Sequence, residues 1–313
     1  MRRLLALLGI YLLVAAACAG GGAASPTPAG SPTPQVSPTP SPSAVATLRY
    51  PVETAANALV LRIATGGGLI RPDYALTVVP NFALYADGRI IVPGPFSTIY
   101  PTPLLPNLRV MTVTPAEIQL ILAAADAAGL LGPDASYDSV ASVGIADAGS
   151  VLFTAVVGGK VHRISAYALS PGGDLGGRPD GSPEVDAARA KLAKFWTQMS
   201  NLSSLLGRPV DDTTAYVPTA MRLFVSDAGP ADPAQPTGQT LAWPLASDPA
   251  QAGQPTAVEG TVCLAITGTD LSSFLTAAGK ASNLTVWTFG RARYGVGVRP
   301  LYPNETGCAG GSL

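Results

Sequence analysis

This 313-residue chain is poorest in histidine, with one, in cysteine, with three, and in charge, at 12% of residues, and each shortage removes a class of chemistry. With His162 as the sole imidazole, a multi-histidine metal centre is excluded and a Ser-His-Asp site has one place to be built. His162 lies mid-strand beside the Gly158-Gly159 turn, where it reads as an exposed cross-strand residue. The chain has no G-x-S-x-G elbow, no S-x-x-K and no G-K-[ST] phosphate loop. Gly66-Gly67-Gly68 follows a strand-like run but no helix start comes next, so it is expected to be a turn and not a phosphate cradle. The basic residues form no block, which leaves no electrostatic footprint for nucleic acid and no polybasic segment for anionic lipid. A hydrophobic fraction of 47% still places most of the chain in the globular class.

What is present starts at the N-terminus. Arg2 and Arg3 precede an apolar run from Leu4 to Ala17 that ends in three alanines before Cys18. As a helix this run would reach about 21 Å, short of the ~30 Å hydrocarbon core, so it reads as a cleaved signal peptide over residues 1–17 and not a membrane span. Cleavage would take the 19 basic residues to 17 against 20 acidic ones. Small residues followed by cysteine resemble the lipobox of bacterial lipoproteins, although Ala15 stands where leucine is usual. That resemblance implies diacylglycerol and palmitate-type acylation at Cys18, an extracytoplasmic location and attachment to the membrane through lipid.

Residues 18–48 carry no charge and repeat Ser-Pro-Thr-Pro three times (25–28, 31–34 and 37–40). Such a segment cannot bury enough apolar surface to offset its ordering entropy, so a disordered tether with polyproline II character is expected. Fully extended at ~3.1 Å per residue it would reach roughly 90 Å. Export also makes the other two cysteines intelligible. Cys263 and Cys308 are an even pair in an oxidising compartment and read as one disulfide, contributing roughly 4 kcal/mol in the chain-entropy description.

The rest of the chain predicts an α+β fold of antiparallel sheets with a few packed helices, in up to two lobes (49–206 and 219–309). Strands are expected at Leu59–Thr65, Tyr74–Val79, Leu108–Val113 and Met221–Ser226. Hairpins are expected around Asp87-Gly88 and Gly158-Gly159. Thr114-Pro115-Ala116-Glu117 is a helix start with its capping box, and Ser182-Pro183-Glu184 opens a second helix through about Leu205. In the last block, Thr261–Ile266, Leu284–Phe289 and Tyr294–Leu301 read as strands around a helix capped by Thr269. Arg299 to Cys308 is similar to the chain end of uncharacterised exported bacterial proteins, which implies a recurring module without an assigned activity.

Two constellations remain. Asp174, Asp180, Glu184 and Asp186 could converge on Ca²⁺, but the spacing fits no EF-hand and two of them suit a helix N-terminus. Trp243 and Trp287, with Trp196, Tyr294 and Tyr302, are candidates for an aromatic binding face, Trp196 being the one expected in a core. No catalytic residue, cofactor or metal ligand is assigned. The expected function is a non-catalytic binding or envelope-associated lipoprotein whose partners are the membrane and cell-wall or envelope components. A carboxylate-dependent hydrolase of glycan and an accessory subunit of an envelope complex are the alternatives.

The anchor makes a direct prediction. Cys18→Ser should shift the protein from the membrane to the soluble fraction on cell fractionation; retention in the membrane would contradict lipidation at that residue.

Overall fold

The computed structural model of the chain describes residues 49–96, 98–138, 145–174, 182–230 and 238–308. The expected signal peptide, Cys18 and the tether lie outside the described residues. Residues 47–313 group as one compact unit, built on two sheets.

Alternating apolar residues lay out the first sheet. It draws on β1 (Leu59–Gly66), β2 (Phe82–Tyr85), β3 (Arg89–Pro93), β4 (Leu108–Thr112), β5 (Ala135–Tyr137), β6 (Ser150–Val157) and β7 (Lys160–Tyr167). A two-stranded ribbon, β8 (Leu169–Ser170) and β9 (Gly173–Asp174), follows, and β10 (Thr214–Ala215) returns to the edge. The order is β10-β4-β3-β2-β1-β6-β7-β5, antiparallel throughout except that β5 runs parallel to β7. Helices α1 (Pro72–Ala75), α2 (Pro115–Ala127), α3 (Pro183–Ser200) and α4 (Leu202–Leu206) interrupt the strands. Period-2 residues Leu61, Ile63, Leu84, Ile90 and Phe153 meet the period-3.6 faces of α2 and α3, including Ile121, Leu122, Phe195 and Trp196.

Local chemistry fixes the ends of these elements. Thr114 Oγ1 accepts from the Glu117 N–H at 3.3 Å while Glu117 Oε2 accepts from the Thr114 N–H at 2.7 Å, closing the capping box of α2. At Gly88 (φ +86°) a Cβ would lie 2.1 Å from the Val113 carbonyl oxygen, so the β2–β3 turn accepts only glycine. The helix expected to run to Leu205 breaks at Asn201, whose side chain caps α4.

The second sheet uses β11 (Ala220–Asp227), β12 (Thr240–Ala242), β13 (Gln254–Pro255), β14 (Thr261–Thr267), β15 (Val286–Phe289) and β16 (Ala292–Pro300), in the order β12-β15-β16-β11-β14-β13. All neighbours are antiparallel except β12 and β15. Between them lie α5 (Pro249–Ala252) and α6 (Gly268–Ala278). Leu271 and Phe274 of α6 pack over Met221, Leu223 and Val225, and Phe274 stacks on Trp287 with ring centroids 5.5 Å apart. The architecture is α+β in two lobes, as the grouped antiparallel strands predict.

The two lobes meet through the last strand and the chain that follows it. On β11 and β16, Arg222 and Arg299 stand directly opposite each other on the face away from α6, where two like charges repel. The segment after β16 folds back over this face and resolves the conflict. Arg299 donates from both Nη atoms to Glu305, at 2.8 and 2.7 Å, with the two side chains only 3% and 6% exposed. Arg299 Nε donates to the Val78 carbonyl in the α1–β2 loop at 3.0 Å, and Arg222 Nε donates to the Gly307 carbonyl at 2.6 Å.

Burial alone would raise the Glu305 carboxyl, but the Arg299 fork, the Tyr302 N–H and Arg222 together hold it below the usual carboxylate range. The same loop lies so close to β16 that a Cβ at Gly297 would come within 2.8 Å of Thr77 Cγ2. Tyr302 enters a small core with Ala83, Tyr85, Ile91 and Leu108 on the helix-free face of the first sheet, and Tyr85 donates to Asn304 Oδ1 at 2.9 Å. The Cys263–Cys308 disulfide pins the end of this segment to β14.

Several local expectations change. Tyr74–Val79 is not a strand: Pro72 starts a helical turn, and the following loop gives its carbonyl to Arg299 instead of to a ladder. The helix after β14 starts at Gly268 with Thr267, not Thr269, at its N-cap. The proline-rich stretch between β3 and β4 docks on the second lobe, where the Leu104 N–H donates to the Ala281 carbonyl at 3.0 Å.

Glu305→Ala should cost about 3–5 kcal/mol in urea unfolding at neutral pH, since Arg299 remains buried without its counter-ion. Because the folded pKa of Glu305 lies below its unfolded value, its stabilisation is complete above the ordinary range near pH ~4.3 and is lost as pH falls through the folded pKa. Glu305→Gln should therefore flatten the acid limb of urea midpoint against pH.

Candidate functional site

Glu117, Asp73, Asp211 and Glu305 are held in the ionised form by their neighbours. Arg208 brings Glu117 to about 2, Arg71 lowers Asp73, and the Thr213 backbone lowers Asp211. Glu305 is lowered too, and its two oxygens are already committed to Arg299. A glycosidase acid has the opposite requirement, a carboxyl raised so that it carries a proton to donate.

A cleft of ≈610 Å³ opens at the end of the second sheet where β11 finishes and the β15–β16 turn begins. Ser226, Asp227, Gly229, Arg291, Arg293 and Tyr294 line much of it. Asp227 is partly engaged, accepting from the Gly229 N–H at 2.8 Å. Tyr294 donates to Asp248 Oδ1 at 2.7 Å, and that carboxylate together with burial pushes the phenol up to about 12. Tyr294 is thus a neutral hydrogen-bonded wall at neutral pH and no proton acceptor. The same Asp248 oxygen caps α5 by accepting from the Ala250 N–H, so the wall is tied to a helix end.

The cations are differently placed. Neither Arg291 nor Arg293 makes an ion pair, and Arg293 Nε is buried without a hydrogen-bond partner. An unmet guanidinium donor beside an exposed second guanidinium suits a carboxylate, phosphate or sulfate group entering from solvent.

The residues singled out from sequence are placed as follows. His162 is not exposed: it is 6% accessible, faces the helix side of the first sheet, and its Nδ1 lies 2.7 Å from the Gly132 carbonyl. The β6–β7 turn sets the strand phase, and that phase puts the imidazole beneath the segment that follows α2. The aromatic face does not form. Trp196, Trp243, Trp287, Tyr294 and Tyr302 are all buried, and Trp243, Phe274 and Trp287 make one mutually packed cluster. Of the acidic loop, Glu184 and Asp186 sit in the first turn of α3, whereas Asp180 and the Asp174 side chain lie outside the described residues. Among the described residues no group of three or more His, Cys, Asp or Glu is placed to hold a metal ion, and no helix is long and apolar enough to cross a membrane.

Arg293 was missed because strand alternation was read only for apolar residues. An arginine within a largely apolar strand is the signal that could have found it, and it recurs at Arg62, Arg222 and Arg299. No family model matches the chain, and no curated protein or solved structure compared with it does either.

Tyr294→Phe should lower stability by about 1.5 kcal/mol through loss of a bond to a carboxylate, whereas Arg291→Gln should leave it unchanged. Thermal unfolding of the two variants separates the structural wall of the cleft from its free cation.

Proposed function

We propose that this chain is a surface-displayed extracytoplasmic lipoprotein that binds an anionic envelope component without turning it over. The observation that carries this reading is the division of charge at the cleft. Its arginines are unengaged, while Glu117 and Glu305 elsewhere are held ionised by their neighbours. Charge of that kind favours capture of an anion over proton transfer to a glycosidic oxygen. The N-terminal sequence adds the address: a signal peptide, lipid on Cys18 and a proline-rich tether would hold such a domain off the membrane, within reach of cell-wall polymers.

A hydrolase would need a proton-donating carboxyl in the cleft. Asp227 is the acid lining it, and one of its carboxylate oxygens is already engaged by the Gly229 N–H.

The test is co-sedimentation of the full chain with purified bacterial sacculi, followed by assay of the supernatant for reducing ends. Binding without release is expected, and the Arg291→Gln/Arg293→Gln double variant should stay in the supernatant. Release of soluble saccharide that stops in Asp227→Asn would establish the hydrolase instead.

A further inference from the structure

Five buried side-chain polar atoms among the described residues lack a hydrogen-bond partner, and three of them lie on one surface: Arg62 Nε, Thr154 Oγ1 and Asp138 Oδ1. Strand pairing explains why they share it. Leu61 and Ile63 of β1, Phe153 and Ala155 of β6, and Ile164 and Ala166 of β7 all face the helices. Arg62, Thr154 and Arg163 therefore face the other way, and they are in register, Arg62 opposite Thr154 and Thr154 opposite Arg163. One step along, Ser165 donates to Asp138 Oδ2, with Ser136 donating to the same oxygen at 2.8 Å, which places Asp138 on this face with its second oxygen unmet.

Unmet buried groups are costly, and chance would scatter them. Here donor and acceptor valence is left open side by side. The hydroxyl of Thr154, a residue 5% exposed, lies between two arginines, neither of which has an ion pair. The two arginine Cα atoms stand two strands apart, about 10 Å, a span that two guanidinium forks can close on one small anion. The neighbouring acid on the junction side, Glu305, is already taken by Arg299 and does not compete.

We infer that this face of the eight-stranded sheet is a second binding site, independent of the cleft, for a saccharide bearing a carboxylate next to free hydroxyls, as in a uronic acid. Arg62 and Arg163 receive the carboxylate, for which planar bidentate donors are suited. Thr154 Oγ1 and Asp138 Oδ1 receive the adjacent hydroxyls, which supply the donors that a bare inorganic anion lacks. Neither arginine is pinned by an acid, and the Arg163 side chain is open to solvent.

The experiment is titration of the isotopically labelled full chain with D-glucuronate, acetate and glucose, followed by NMR amide shifts. Glucuronate should shift amides of β1, β6 and β7 around residues 62, 154 and 163, acetate should bind more weakly at the same amides, and glucose should leave them unmoved. Arg163→Gln, an exposed substitution, should weaken glucuronate binding about tenfold by removing a charge-assisted pair. Thr154→Val should weaken it as well while raising the unfolding temperature, because it deletes an unpartnered hydroxyl. Three outcomes would overturn the site: no shift at these amides, equal affinity in Arg163→Gln, or destabilisation by Thr154→Val. Shifts confined to residues 291–294 would also overturn it, and would assign the anion to the cleft alone.

Discussion

The bidentate pair between Arg299 and Glu305 is the constraint on which the rest of the structure depends. Two arginines side by side on a buried sheet face would repel each other and lose their hydration, and no strand pairing alone could offset that. Burial lowers the Arg222 guanidinium, and its neighbour Arg299 adds to the effect. The structure meets the demand with chain: the segment after β16 brings one carboxylate and the Gly307 carbonyl to these two residues. That same segment delivers Tyr302 into the first lobe and leaves Cys308 against β14. The segment that answers a local electrostatic problem in one sheet thus also helps to join the two sheets. The pair is not itself a large source of stability, since a well-packed apolar replacement can be neutral or better. What it supplies is a fixed geometry between the lobes.

This arrangement also bears on function. The Arg299–Glu305 pair is internally satisfied, so the Glu305 carboxylate is not free for chemistry. The arginines without partners lie elsewhere, at the open end of the second sheet and on the helix-free face of the first. A body whose Glu117 and Glu305 are tied to arginines, and which leaves other arginines without partners at two surfaces, is suited to holding anionic material.

The sequence makes the large elements legible because their signals are local. Thr114 to Glu117 contains the whole capping box, Asp87-Gly88 and Gly158-Gly159 contain their turns, and the alternation of β6 and β7 names their buried face. Elements whose cause is distant are not legible. Nothing near Thr214-Ala215 or Thr240–Ala242 announces a strand, because each is short and exists by pairing with an edge that forms elsewhere. Tyr74–Val79 has strand composition, yet it is held as a loop by an arginine more than 200 residues away. His162, Trp243 and Trp287 depart from expectation for a related reason, whereas Trp196 lies in the core as expected. Period-2 alternation separates two faces, but which face receives helices, or the end of the chain, is decided by packing that the strand itself does not encode.

The central claim is that the returning C-terminal segment makes the two lobes one cooperative unit. Native-state hydrogen exchange of the full chain at rising urea tests it directly. The account predicts that amides of β2 and β3 in the first lobe and of β11 and β16 in the second merge into a single opening with one free energy and one urea dependence. Two separate isotherms, with the β11–β16 amides opening while those of β2–β3 remain protected, would contradict it.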